Sequence, residues 1–372
     1  MEFTAGFTLV GGGTFVAPPP PPPDPYLWAW GDNDFGRLGL GNTTDYSSPK
    51  QVGALTTWSS ISGGELHSAA IKTDGTIWSW DKNEYGQLGL GNTTNISSPV
   101  QVGALTTWLN IAAGEEHALA VKTDGTLWSW GRASNGRLGL GNTINRSSPV
   151  QVGALTTWSS ISAGGGHSLA VKTDGTMWSW GSGGQGKLGL GDTTARSSPV
   201  QVGALNTWSS VAGGNYHSLA IKTDGTMWSW GYNFTYGLLG LGDTNDRSSP
   251  VQIGALTTWS SISAGYFHSM AVKTDGTMWA WGFNSGRLGV GDTANRSSPV
   301  QVGALTTWLN VSAGRYHSLA IKTDGTLWSW GENNGGILGL GDTTARSSPV
   351  QVGALNTWAS VAAGHIHSMA IG

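Results

Sequence analysis

At 372 residues the chain is long enough for two or three ordinary domains, yet charged side chains make up only 11 % of it and its net charge is −3. That balance leaves no basic footprint for nucleic acid or for insertion into an anionic membrane surface. The absence of cysteine excludes disulfides, thiolate metal sites and cysteine nucleophiles, and no run approaches the roughly 18 consecutive apolar residues of a membrane helix.

The chain opens M-E-F-T-A-G-F-T-L-V, with an acid where a signal peptide carries bases, so this end reads as unprocessed. Residues 1–17 place Phe3, Phe7, Leu9, Val10, Phe15 and Val16 among glycines and threonines, an apolar, β-prone arm too short to fold alone. Such an arm gains most by adding strands to another protein's sheet, which makes Phe3, Phe7, Leu9 and Phe15 candidate anchoring residues. Pro18 to Pro23 form a stiff polyproline II rod of roughly 19 Å at about 3.1 Å per residue. Residues 18–25 thus link the arm to everything that follows.

From Tyr26 onward the chain repeats itself every 50 residues or so. The pair Trp28/Trp30 recurs at Trp78/Trp80, Trp128/Trp130, Trp178/Trp180, Trp228/Trp230, Trp279/Trp281 and Trp328/Trp330. A third tryptophan follows each pair, from Trp58 to Trp358, and seven copies of three account for all 21. Each copy predicts four short strands. Trp158 to Ala163 is the first, and a Gly-x-x-His turn leads to the second, His167 to Thr173, which sets Leu169 and Val171 inward against polar neighbours. Asp174-Gly175 predicts a two-residue hairpin turn that needs positive φ. The third strand is T-M-W-S-W-G, with Trp178 and Trp180 on one face because strand side chains alternate. A long Gly-rich loop leads to the fourth, P-V-Q-V-G-A-L. No segment carries useful helical periodicity. Four-stranded twisted units repeated seven times close into a ring, so the expected fold is all-β, a seven-bladed β-propeller over residues 26–372.

Closure is legible as well. The hairpin K-T-D-G-T occurs six times, at Asp74, Asp124, Asp174, Asp224, Asp275 and Asp324; a seventh would follow Ile371. The strand that copy lacks, Tyr26 to Gly31, stands at the other end of the sequence, so the two terminal strands are expected to pair and complete the last blade.

The segment I-S-A-G-G-G-H-S-L-A-V (Ile161 to Val171), its six sister copies, and W-G-x-N-x-x-G-x-L-G-L-G loops such as Trp80 to Gly91 resemble the regulator of chromosome condensation repeat family. Asp81 stands in that loop where the others have glycine. The resemblance runs from Tyr26 to Gly372 and implies the propeller fold. The founding member of that family is an exchange factor for a small GTPase, with a β-hairpin wedge in one blade. Here the spacing never departs from about 50 by more than one residue, which leaves no room for a wedge, and exchange activity is not expected. The apolar arm, proline spacer and repetitive β-head together also resemble an accessory protein of a phage particle.

Several motifs invite a chemical reading and are better explained by the repeat. Seven histidines, His67, His117, His167, His217, His268, His317 and His367, share one repeat position. Ligands must lie within about 2.1 Å of a metal, and one imidazole per blade is too widely spaced, so they read as turn histidines bonded to backbone. Gly181 to Lys187 imitates a phosphate-binding loop, but Leu188 stands where a Ser or Thr must hold magnesium, and the loop leads to a strand. The replicated Asp of each K-T-D-G-T is a turn former. No catalytic residue, metal site or cofactor is therefore expected.

The copies also differ, and one chain supplies its own internal comparison. The pair before each histidine varies: Glu65-Leu66, Glu115-Glu116, Gly165-Gly166, Asn215-Tyr216, Tyr266-Phe267, Arg315-Tyr316 and His365-Ile366. So does the segment after each W-G, including Asp32 to Phe35, Lys82 to Tyr85, and Tyr232 to Tyr236 with its one-residue insertion. In an antiparallel blade both loops fall on one face, acidic near blades one and two and aromatic near blades four to six. Glu65, Glu115, Glu116, Tyr216, Tyr266, Phe267, Arg315 and Tyr316 are the candidate binding residues. The expected function is a non-catalytic binding or display module. Its arm would anchor it to capsid or tail proteins of a virion, and its variable face would be open to a host-surface ligand. The alternative is a regulatory propeller that binds a small GTPase or another cytoplasmic protein.

Overall fold

The computed structural model describes residues 25–372. The arm, with Phe3, Phe7, Leu9 and Phe15, and the proline run lie outside the described residues. What is described folds into seven four-stranded antiparallel sheets arranged as a closed propeller.

Blade three shows the plan. Trp158–Ala163 lies nearest the axis, followed outward by His167–Lys172, Met177–Gly181 and, at the rim, Arg196–Gln201. The second strand is buried on both faces because it packs between neighbouring blades. Leu169, Val171 and Met177 meet Trp208 and Trp230 of blade four, while Ala170 and Trp180 join Trp158 against Leu119 and Val121 of blade two. Blades one to six run in this order from Trp58 to Gln351.

The seventh blade is composite. Ser360–Ala363 and His367–Ile371 are continued by Leu27–Gly31, paired antiparallel from Leu27↔Ile371 to Gly31↔His367, and then by Tyr46–Gln51. Tyr26 and Gly372 exchange backbone hydrogen bonds of 3.1 Å where the other blades carry a hairpin. The expected closure is present.

Two local expectations need correction. The fourth strand begins at Arg196 and ends at Gln201, so Val202-Gly203-Ala204-Leu205 is connection rather than strand. Pro199 sits inside it, beside a register irregularity between Ser179 and Gly181 of the neighbouring strand; a rim strand tolerates the missing N–H. The Asp-Gly hairpin closes around three residues, Thr173 to Gly175, with Lys172 donating its N–H to Thr176 O at 3.0 Å. Only Gly175 has positive φ, +79°. Asp174 is held out of that region by its own side chain, which accepts from the Thr176 N–H (2.9 Å) and hydroxyl (2.6 Å).

The histidines also differ from expectation. All seven are fully buried, and six of them use Nε2 to donate to a serine hydroxyl of the next blade, as His117 does to Ser168 (3.0 Å) and His167 to Ser218 (2.8 Å). That serine donates onward to a loop carbonyl, Ser168 to Arg137 O at 2.8 Å, and the same carbonyl accepts the Trp180 indole N–H at 2.9 Å. Six of the seven seams between blades are thus stapled by a histidine–serine pair within their apolar packing. His67 is the exception: Ala118 replaces its serine, and neither ring nitrogen has a partner.

A second irregularity lies beside it. Asp81 takes the place where the six other blades have a glycine with φ between +99° and +113°. It keeps φ at +94°, is fully buried, and neither carboxylate oxygen has a well-formed hydrogen bond; Arg37 Nε stands 3.9 Å away. Burial, only partly offset by Arg37, pushes its carboxyl up to about 8. We expect Asp81→Gly to stabilise the fold by about 2–4 kcal/mol, the sum of left-handed strain and an unsatisfied buried acid. The folded carboxyl holds its proton up to a higher pH than the unfolded one, so its penalty grows as pH rises from about 4 to 8. Urea unfolding at pH 5 and pH 8 should show the larger gain at pH 8. No gain at either pH would mean that Asp81 is satisfied in solution.

Candidate functional site

The loops between first and second strands meet at the axis. In six of the seven seams the first residue of the variable pair donates its N–H to a glycine carbonyl of the next blade, as Glu65 to Gly114 O (3.2 Å) and Tyr266 to Gly314 O (3.2 Å). The glycine before it must be a glycine: a Cβ on Gly64 would come within 2.4 Å of Gly114 O. This ring turns Glu65, Glu115, Gly165, Asn215, Tyr266, Arg315 and His365 into the lining of one axial funnel. Its cavity volume is about 90 Å³, well under the roughly 300–1,000 Å³ of a small-molecule pocket, so it admits a side chain rather than a nucleotide.

The second residue of each pair leans outward against the loop that follows the third strand. Tyr232 N–H donates to Tyr216 O at 3.0 Å and Arg132 N–H to Glu116 O at 2.8 Å, which places both variable segments on one face as expected. Over blades four to six they build a continuous aromatic cluster. Tyr216 stacks on Phe267 at 5.7 Å and meets Tyr266 edge-on at 5.3 Å, with a hydroxyl contact of 3.2 Å. Tyr236 joins Phe267 to Phe283 (5.7 and 4.7 Å). Arg315 lies over both Tyr266 (4.2 Å) and Tyr316 (5.0 Å), and Arg287 over Phe283 (4.6 Å).

The acidic sector faces it across the funnel. Glu65 lies 3.6 Å from Arg315 and 3.6 Å from His365, and Arg315 donates to the other nitrogen of that ring. Burial, with Glu115 close by, pushes the Glu65 carboxyl up to about 7 against the pull of Arg315, and the same burial keeps His365 neutral. Glu116 is clamped by Arg132 at 2.5 Å, while Glu115 has Arg137 at 3.6 Å.

All eight candidate residues therefore come together. Sequence reading missed Arg137, Lys187, Arg287 and Phe283, which reach the same face. The loop-end position of the first three varies among Arg, Gln, Lys, Leu and Ile, a signal hidden by the uniform glycines around it. The phosphate-loop look-alike ends in a single 3-10 turn, Gly184–Gly186, and opens no α-helix. Among the described residues no group of three or more His, Cys, Asp or Glu could hold a metal ion, and no helix is long and apolar enough to cross a membrane.

Comparison with known proteins places this face in context. No curated protein sequence matches the chain. Among solved structures the chain is similar to human WBSCR16, at 22 % identity and a TM-score of 0.84, over 94 % of this chain and 98 % of that one. Yeast RCC1 (Prp20), solved bound to Kap60, aligns at 21 % identity and a TM-score of 0.85, over 94 % of this chain and 89 % of its own. A second structure of the same protein, Prp20p from Saccharomyces cerevisiae, reported with its binding properties to Gsp1p and histones, aligns at 22 % identity and a TM-score of 0.84, over 94 % of this chain and 91 % of its own. At such identities the likeness is one of fold. The family model for the regulator of chromosome condensation (RCC1) repeat matches residues 26–71, 74–121, 124–171, 174–221, 224–272, 275–321 and 324–371. Seven consecutive matches over nearly the whole chain show that it belongs to the RCC1 repeat family.

Proposed function

We propose that this chain is a non-catalytic binding propeller that takes a protein partner on its variable face, centred on the axial funnel. The observation that carries this reading is the contrast between faces. Glu65, Tyr216, Tyr266, Phe267, Arg315 and Tyr316 crowd one end of the ring, while the opposite end repeats the same Asp-Gly hairpins and Gly-Ala-Leu connections blade after blade. Half-buried aromatics and arginines beside desolvated carboxylates are what binding hot spots are made of. Yeast Prp20, solved with Kap60 bound and described as binding Gsp1p and histones, supports a protein as the partner class, so the regulatory reading is favoured over display on a virion. The display reading rests on residues 1–17.

The test compares capture of binding proteins by the full chain and by three variants. Tyr266→Ala with Arg315→Ala should weaken capture at least about 30-fold, as loss of a hot spot of about 2 kcal/mol or more requires. Leu205→Ser, at an exposed leucine of the uniform face, should change nothing. If deleting residues 1–17 abolishes capture while the Tyr266/Arg315 variant retains it, the partner is held by the arm and the proposal is wrong.

A further inference from the structure

The residue that ends each variable loop is a cation in four blades: Arg37, Arg137, Lys187 and Arg287. Each is largely buried, and three of the four have a carboxylate. Arg37 lies 3.5 Å from Asp32, Arg137 lies 3.6 Å from Glu115 and 3.8 Å from Glu116, and Arg287 lies 2.6 Å from Glu332. Lys187 is the exception. It is only 7 % exposed, yet its ammonium makes no ion pair and no hydrogen bond among the described residues.

The missing partner has an address. In blade two Glu116 occupies the repeat position just before the histidine and reaches both Arg132 and Arg137. The same position in blade three is Gly166, where other blades carry Leu66, Glu116, Tyr216, Phe267, Tyr316 and Ile366. A Cβ on Gly166 would stand 3.4 Å from Arg137 Nη2 and 3.6 Å from Lys187 Nζ, ordinary contact distances, and Gly166 has no positive φ to forbid a side chain. Arg137 uses Nη1 toward Gly165 O and Nε toward Ser134 O, which leaves Nη2 facing the same space. Two cationic donors thus converge on a notch that lacks the side chain its neighbours have. Glu115 and Glu116 are the acids nearby, and both are held by arginines, Glu116 by Arg132 and Arg137 and Glu115 by Arg137; Glu115 also attracts Lys187, but from beyond ion-pair distance.

We propose that the notch at Gly166 is a carboxylate-binding site, where Arg137 Nη2 and Lys187 Nζ take one Asp or Glu side chain from the protein partner. The assignment of the carboxylate to a partner rests on the function proposed above; the site itself does not. The molecule supplies the template, since its own Glu116 fills the equivalent place one blade earlier. Burial, reinforced by Arg137 and only partly offset by Glu115, lowers the Lys187 ammonium to about 8, and an arriving carboxylate would push it back up.

Titration of Lys187 in the full chain, followed through its Cε resonance in lysine-labelled protein and assigned with Lys187→Met, tests this without any partner. Acetate, or a capped tripeptide carrying one Glu, should raise the titration midpoint by about half a pH unit or more relative to equal chloride. The Gln version of the peptide should do nothing. Gly166→Glu should raise the midpoint with no ligand present and abolish the acetate response. Equal midpoints in acetate and chloride, or an unmoved midpoint in Gly166→Glu, would overturn the site. A larger shift with inorganic phosphate than with acetate at equal ionic strength would overturn the carboxylate assignment. None of these outcomes bears on the Tyr266/Arg315 capture experiment, so failure of the site and failure of the binding reading stay distinguishable.

Discussion

Lowering the pH from 7.5 to 5.5 should destabilise the propeller by about 5 kcal/mol. The cause is the seven inter-blade histidines, fully buried and neutral, which burial pulls well below their ordinary value of 6.5; His67 and His217 fall to about 4 and His317 to about 3. Unfolded, each regains its ordinary value and takes up a proton below about 6.5. The folded state therefore binds fewer protons than the unfolded one between about 4 and 6.5, and stability falls as pH falls through that window. One such group contributes about 1.4 kcal/mol per pH unit, so seven contribute up to about 10 kcal/mol per unit. Asp81 and Glu65, whose folded carboxyls are raised to about 8 and about 7, act in the opposite sense, as do Asp32 and Glu115, which burial also raises; together they offset part of the histidine effect without reversing it. Urea unfolding at half-unit steps from pH 7.5 to 5 should give a slope that corresponds to net uptake of several protons. His167→Gln should reduce that uptake by about one. A midpoint that does not move between pH 7.5 and 5.5 would show that the imidazoles are not held neutral.

The second large effect concerns closure. Deleting residues 1–24 leaves every described strand in place, whereas deleting 1–31 removes Leu27–Gly31, the strand that joins His367–Ile371 to Tyr46–Gln51. Trp30 is fully buried and donates to Ile337 O at 3.0 Å, and Trp28 packs edge-on against Trp358 at 6.0 Å. Losing the buried Trp30 costs about 3–5 kcal/mol, and with the half-buried Trp28 and the strand's pairing the loss approaches the whole net stability of an ordinary domain, about 5–15 kcal/mol. The shorter deletion should melt with the full chain. The longer one should melt lower by at least about 10 °C, at roughly 2 °C or more per kcal/mol, or not fold at all. Equal melting of the two would mean that the ring does not depend on this strand.

Much of this was legible in the sequence. The tryptophan spacing gives blade number, the Lys-Thr-Asp-Gly-Thr count gives the closing strand, and comparing repeats with one another gives the variable face. Such signals lie within one repeat or between equivalent positions. What the sequence hid lies between blades. His117 finds Ser168, 51 residues away, and nothing local marks the two as partners. The hairpin looked like a two-residue turn because Asp-Gly usually builds one, but the Asp174 side chain bonds Thr176 and fixes a wider loop. Lys187 was read through its glycine-rich frame as a phosphate-loop mimic. Its meaning lay instead in the side chain missing at Gly166, which only a spatial comparison with Glu116 exposes.

The composite blade bears on how a gene for such a chain can lengthen. The strand pair that seals the ring, Leu27–Gly31 with His367–Ile371, lies outside the six blades that run without interruption from Trp58 to Gln351. An in-frame duplication of one repeat within that stretch inserts a whole blade with both of its seams and leaves the sealing pair untouched. Propellers close with about four to eight blades, so the first product of unequal recombination would still have a ring within reach. Near-identical repeats are the substrate on which such recombination acts, and the loop pairs before each histidine are where the copies can then diverge without disturbing any seam.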